Sequence, residues 1–240
     1  MNNQIKVELL KMRKSRFFFW ASLSLIIFGV YFSIGTLYFD NSEYSAQRML
    51  LLLISDVSLL FVSVAFVCFF IGSDFSNRTI CNEIRIGYSR LSVILSRTIV
   101  VLPFAILMQL FYISLVVLMH GIVNEFGFDM TVQALILRFA LFIVQSAAVL
   151  SITVFVTFWC KKVSLSMALN ISFVFLFFNL MRGSPLSNNR VYRITIFYRF
   201  IMISQDLSLL DIVISFLSAI ATILCALVAT HIVLHKAEIK

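Results

Sequence analysis

The sequence predicts an all-α integral membrane protein with six transmembrane helices, an N-terminal interfacial helix and a short cytoplasmic helix between spans 2 and 3. Three observations carry this. Hydrophobic residues make up 61% of the 240-residue chain, with a mean hydropathy of +1.03. Only 12% of residues are charged, against about 25% in soluble domains, too few to cover a water-facing surface. The charges that remain are gathered between long charge-free runs. Such runs lack the short alternating segments of a membrane β-barrel.

Taken in order, residues 1–16 carry Lys6, Lys11, Arg13, Lys14 and Arg16 around a narrow apolar stripe of Ile5, Leu9 and Met12. This is the pattern of a helix lying in a membrane interface. The run 17–39 that follows has 23 residues. A signal-peptide core has about 7–15, so the run is read as a retained first span. A spanning helix needs about 20 apolar residues, which sets spans at 17–38, 50–72, 99–121, 139–160, 164–181 and 211–234. The unit 17–240 is read as one six-span domain with a cytoplasmic loop at 73–98 and an external loop at 182–208. Neither loop is long enough to fold alone.

An even number of spans puts both termini on one side. With that side cytoplasmic, 13 of the 19 Lys and Arg residues lie inside, which favours N-in and C-in. Four arginines between 182 and 199 blunt the asymmetry. The net charge of +8 is therefore read as topological, and no nucleic-acid partner is expected.

The search for chemistry returns little. No HExxH, GxSxG or phosphate-binding GxxxxGK[ST] occurs, so no catalytic residue and no bound nucleotide are expected on this chain. His231 and His235 stand one turn apart but have no third ligand, and Cys68, Cys81, Cys160 and Cys225 make no CxxC pair. Neither a metal site nor a disulfide framework is expected. Polar residues inside spans are functional candidates by default. They are Asp56, Gln109, Gln145, Asn170 and Asn179, read as candidates to line a pathway. Interhelical hydrogen bonding is the competing role.

The longest polar stretch, SDFSNRTICNEIRIGYSR at 73–90, has helical punctuation. Ser76 or Asn77 is placed to cap a helix starting near Arg78. Ile80 and Ile84 share its apolar face, Gly87 stops it, and Ser89 caps the next helix. Such a helix suits either the membrane surface or a groove in a soluble partner.

Residues 75–97, FSNRTICNEIRIGYSRLSVILSR, resemble the first cytoplasmic loop of ABC-2 type transporter permeases. The matching features are Asp74 after the second span, the Thr79-Ile80 pair, Gly87, Ser89-Arg90 and Arg97 opening the third span. A glycine often precedes the Thr-Ile pair in that family; here it is Arg78. The likeness is strongest to small six-span permeases of bacitracin resistance, lantibiotic immunity and peptide export. MNNQIKVELLKMRKSRFFFW resembles the family's elbow helix, and VYRITIFYRFIMI its external re-entrant element between spans 5 and 6.

The resemblance implies an exporter subunit in the plasma membrane of a bacterium. It would pair with a second permease chain, the same or homologous. Two copies of an ABC ATP-binding subunit would supply ATP and Mg. The cargo would be hydrophobic or amphipathic: an antimicrobial or other peptide, or a lipid-like compound. It further implies that Asp74, Thr79, Ile80, Glu83, Ile84, Arg85, Gly87, Ser89 and Arg90 couple to the ATPase. A membrane enzyme or envelope-stress sensor without transport is the reading from a different class, separated from the first by whether an ATP-binding subunit co-purifies.

Overall fold

The computed structural model describes residues 2–39, 45–56, 58–124, 126–127, 130–183, 195–205 and 207–236. Among them are ten helices: α1 (Asn2–Lys14), α2 (Arg16–Phe39), α3 (Ala46–Ile54), α4 (Ser58–Ser76), α5 (Thr79–Arg85), α6 (Arg90–Asn124), α7 (Val132–Cys160), α8 (Val163–Gly183), α9 (Ile196–Met202) and α10 (Leu209–Lys236). Helix is the natural outcome, since a chain in lipid must satisfy its backbone groups within each segment.

Five helices are long and apolar enough to cross a membrane: α2, α4, α6, α7 and α10. The described apolar part of α8, Val163–Leu176, is shorter. The expected second span, 50–72, is not continuous. Ser55 bends its hydroxyl back to the carbonyls of Leu51 and Leu52, at 3.1 and 3.0 Å. A serine that bonds its own backbone competes with the helix ladder, so α3 ends there and α4 starts beyond Asp56. The third span is longer than its apolar run, because Ser89 accepts from the Ser92 amide at 3.2 Å and starts α6 nine residues before 99.

The core lies where α4, α6 and α7 face one another, with Phe66, Phe142 and Phe158 fully enclosed. α10 packs chiefly on α7, α8 on α4, and α2 on α6. α4 and α8 approach closely at Gly72, where an added Cβ would stand 3.1 Å from the Val163 backbone. α1 lies against α6 and turns Gln4, Glu8 and Met12 inward. The expected stripe of Ile5, Leu9 and Met12 is thus corrected. Leu9 is exposed, because the buried face follows positions 4, 8 and 12 and carries an acid with partners waiting.

Between α8 and α10, α9 is held in place by Arg138 of α7, whose guanidinium donates to the Ile203 carbonyl at 3.0 Å. Arg199 of α9 pairs with Asp211 of α10 at 2.7 Å. Two arginines thereby tie α9 to its neighbours. Residues 184–194 of the expected external loop lie outside the described residues.

Candidate functional site

The stretch 73–90 folds as its punctuation suggests, with one change. α5 starts after Arg78, which has φ 56° and no side-chain cap. Ser76 and Asn77 do not cap it; Ser76 instead bonds back to the Gly72 carbonyl within α4. Position 78 is where the resembled family often has glycine, the residue that a left-handed backbone favours. At the other end Gly87 has φ 102°. Its amide reaches the Ile84 carbonyl and that of Tyr88 the Glu83 carbonyl, at 3.1 and 3.2 Å. These two bonds make a Schellman stop.

α5 is fastened from within. Arg97, on the first turns of α6, is completely buried. Its Nη1 and Nη2 donate to Oε2 and Oε1 of Glu83, both at 2.9 Å. Its Nε donates to Asp74 Oδ2 at 2.9 Å, and Nη1 also reaches the Val93 carbonyl at 3.3 Å. Glu8 of α1 lies 3.4 Å from Nη2. The second oxygen of Asp74 accepts from Lys11 of α1, whose ammonium sits 4.7 Å over the Phe70 ring. Burial lowers the Lys11 pKa, while the Glu8 carboxylate pulls it the other way.

Five charges, three negative and two positive, therefore join α1, the end of α4, α5 and the start of α6. Buried charges are tolerated only when paired and hydrogen-bonded. A planar guanidinium with five donors is the side chain that can serve three carboxylates at once. The network ties these four elements to one another.

A second set of bonds extends the same end of the molecule. Arg90 donates to the carbonyls of Leu234, at 2.7 Å, and His235, capping the last turn of α10. Ser92 donates to Gln4 of α1.

The nine residues expected to couple to a partner divide by this geometry. Asp74 and Ile80 are fully buried. Glu83 is mostly enclosed by Arg97, and Ile84 packs against the core. Thr79 is half-buried and Arg90 is occupied with α10, while Arg85, Gly87 and Ser89 face outward. The expected docking face of Ile80 and Ile84 is therefore corrected: that face is turned into this chain's own core, because Glu83 between them is drawn to Arg97. The outward apolar groups are Ile86, 77% exposed, and Tyr88, 41% exposed. Sequence reading missed these two, along with Glu8 and Lys11. One signal was present: Glu8 is the only acid among the first 39 residues.

The candidate pathway residues are not brought together. Gln145 donates to the Ser215 carbonyl across the α7–α10 seam at 3.0 Å. Asn170 donates to Cys68 Sγ of α4 at 3.3 Å and to Ser166 at 2.8 Å. Both act as helix-to-helix bonds. Asp56 is half-buried at the α3–α4 break. Gln109 is buried in α6, with neither amide atom bonded among the described residues. The Asn179 side chain lies outside the described residues. A groove of about 1110 Å³ between α2, α6 and α7 is lined by Phe104, Phe111, Phe139 and other apolar groups, and by none of the four described candidates.

A helical bundle with five helices long and apolar enough to cross a membrane, and a short helix held at one end by buried charge, is the build of a multi-pass membrane protein. The chain belongs to the ABC-2 family of transporter proteins, whose family model matches residues 4–179. That match takes in α1, α5, Arg97 and every member of the charge network. Membership makes this chain a transport subunit that works with an ABC ATP-binding subunit. No curated protein and no solved structure matches it.

Proposed function

We propose that this chain is the permease subunit of an ABC exporter, with six spans, α8 being the fifth, and both termini in the cytoplasm of a bacterium. Two permease chains, the same or homologous, enclose the path, and two ATP-binding subunits sit beneath them with ATP and Mg. The cargo is a hydrophobic or amphipathic compound, such as an antimicrobial peptide or a lipid-like molecule. Gln109, with its amide unbonded among the described residues, is the best of the candidate lining residues.

The observation that carries this reading is the bidentate pair between Glu83 of α5 and Arg97 of α6. A helix that merely joins two spans has no need of a buried, fully bonded guanidinium. One that receives force does, since the load must reach α6, α4 and α1 together. The contact to the ATPase is made by Arg85, Ile86 and Tyr88, the outward groups around the Gly87 stop.

The test is co-expression with an ATP-binding subunit. The subunit is expected to stay with the chain through affinity purification, and cells carrying both are expected to export the cargo. The chain alone is expected to hydrolyse no ATP above background. Hydrolysis that survives removal of every other subunit would overturn the proposal. Labelling of a cysteine placed at Asn82 only after permeabilisation supports the orientation.

A further inference from the structure

Three of the described residues have a positive φ, and all three stand in turns at one end of the molecule: Arg78 at 56°, Lys161 at 54° and Gly87 at 102°. Arg78 stands between α4 and α5, and Lys161 closes α7. These two turns are neighbours. Gly72 of α4 meets Val163, just past the second turn, and Phe75 of α4 stands edge-on to Phe158 of α7 with ring centres 5.4 Å apart. Glycine is the usual residue at such helix stops, because a Cβ makes the conformation costly. The chain has glycine at 87 but long cations at 78 and 161. Both are exposed, as is Lys162, and none of the three makes a side-chain hydrogen bond or ion pair among the described residues. No bond there offsets the strain. Glu8, Asp74 and Glu83, the described acids of this end, are drawn inward to Arg97 and Lys11, so the exposed charge is cationic.

We propose that Arg78, Lys161 and Lys162 form a second docking element, which seats acidic side chains of the ATP-binding subunit beside its contact with Arg85, Ile86 and Tyr88. This rests on the reading that the α5 turn meets such a subunit. It adds the turn between α7 and α8 to the contact and gives the charge of the partner's surface. Charge complementarity selects the occupant: three exposed cations with no exposed acid among the described residues beside them call for carboxylates. Lipid headgroups would be served by a lysine at any place along the leaflet, since that attraction acts near the whole surface. A cation kept in a left-handed turn is instead set at one place, which suits a partner whose carboxylates are fixed in a fold. Backbone strain of this kind persists where a function requires the residue that bears it.

The experiment measures how tightly the full chain, in nanodiscs of pure phosphatidylcholine, holds the ATP-binding subunit that co-purifies with it. The double variant Arg78→Gly, Lys161→Gly removes both cations and relaxes both turns. Its melting midpoint is expected to equal or exceed that of the wild type, while its affinity for the subunit falls by about tenfold, as the loss of two exposed charge pairs allows. Arg78→Gln with Lys161→Gln, which keeps a Cβ at both stops, is expected to lose the same. Arg78→Lys with Lys161→Arg keeps the charge and is expected to bind as the wild type does. Rising salt is expected to bring the wild type down toward the double glycine variant, because it screens the pairs that the variant lacks. Wild-type affinity in both the glycine and the glutamine variants overturns the proposal; if Ile86→Asp still loses the subunit, the reading of the α5 turn stands without it. A wild-type chain that retains no ATP-binding subunit overturns that reading and the proposal together. A loss that appears only in discs containing one-third phosphatidylglycerol also overturns the proposal, and assigns the two turns to lipid.

Discussion

Glu83 and Arg97 meet prong to prong, oxygen to nitrogen at 2.9 Å twice over, and by that meeting a seven-residue helix at the membrane edge is joined to a 35-residue span. The same guanidinium holds Asp74 at the end of α4. Its removal leaves Lys11 as the one cation of the network facing three carboxylates.

Arg97→Ala is expected to destabilise the chain by about 3–5 kcal/mol, the range for leaving buried charge unpaired. Arg97→Lys keeps the charge but loses the fork, and is expected to recover only part of the loss. Thermal unfolding in detergent reads both. Pairing each with Glu83→Gln in a double-mutant cycle isolates the α5–α6 link. A cycle with no coupling would show that Glu83 carries no load.

Arg78 is expected to be better as glycine. Its φ of 56° is a left-handed conformation that costs a side-chain-bearing residue about 1–2 kcal/mol. Arg78→Gly relieves this and gives back some of the gain in unfolded-chain entropy. The expected net effect is stabilisation by about 0.5–1 kcal/mol. Arg78→Ala, which keeps a Cβ, is expected to bring no gain. The comparison of the two melting midpoints checks it.

Gly72 marks where α4 and α8 touch. A Cβ there would meet Val163 Cγ2 at 2.9 Å and Val163 Cα at 3.1 Å. The backbone cannot give way as a side-chain tip can, so Gly72→Leu is expected to cost about 1–3 kcal/mol or more through overpacking. Gly35, with nothing within 4 Å of an added Cβ, is the control. Gly35→Ala is expected to leave the midpoint unchanged or slightly raised.

Much of this fold is legible from hydropathy, and the misses have physical causes. Span 17–38 meets α2 at Arg16–Phe39 because charge bounds the apolar run at its start. Span 50–72 hides a break, since a count of apolar residues does not register a serine hydroxyl turning back on its own helix. The apolar run alone starts the third span at 99, because Arg90 and Arg97 look like loop. They lie in a helix that Ser89 caps, Arg90 bonded to carbonyls of α10 and Arg97 to carboxylates, partners that no local pattern reveals. Asp74, Glu83 and Arg97 were each visible as charges. Their meeting depends on the mutual register of three elements, as does the turning of Ile80 inward. Gly87 was legible because its requirement is local.

The final prediction separates the two faces of α5. Ile80 is fully buried in this chain, and Ile86, one residue past the end of α5, is 77% exposed. Ile80→Asp places an unpaired carboxylate in the core. It is expected to cost several kcal/mol and to lower the amount of protein in the membrane. Ile86→Asp changes nothing inside the chain, so abundance and melting midpoint are expected to match the wild type. If Ile86 docks in the ATP-binding subunit, its burial contributes about 1.5–3 kcal/mol at that contact. Replacing it with a carboxylate is expected to weaken co-purification of that subunit by tenfold or more and to abolish transport. Arg85→Ala, at the rim, is expected to cost about 0–1 kcal/mol and to leave transport largely intact. The measurements are membrane abundance, retained ATP-binding subunit and cargo export for all three variants. Full export by Ile86→Asp with its partner retained would show that the outward face of this turn makes no contact that matters.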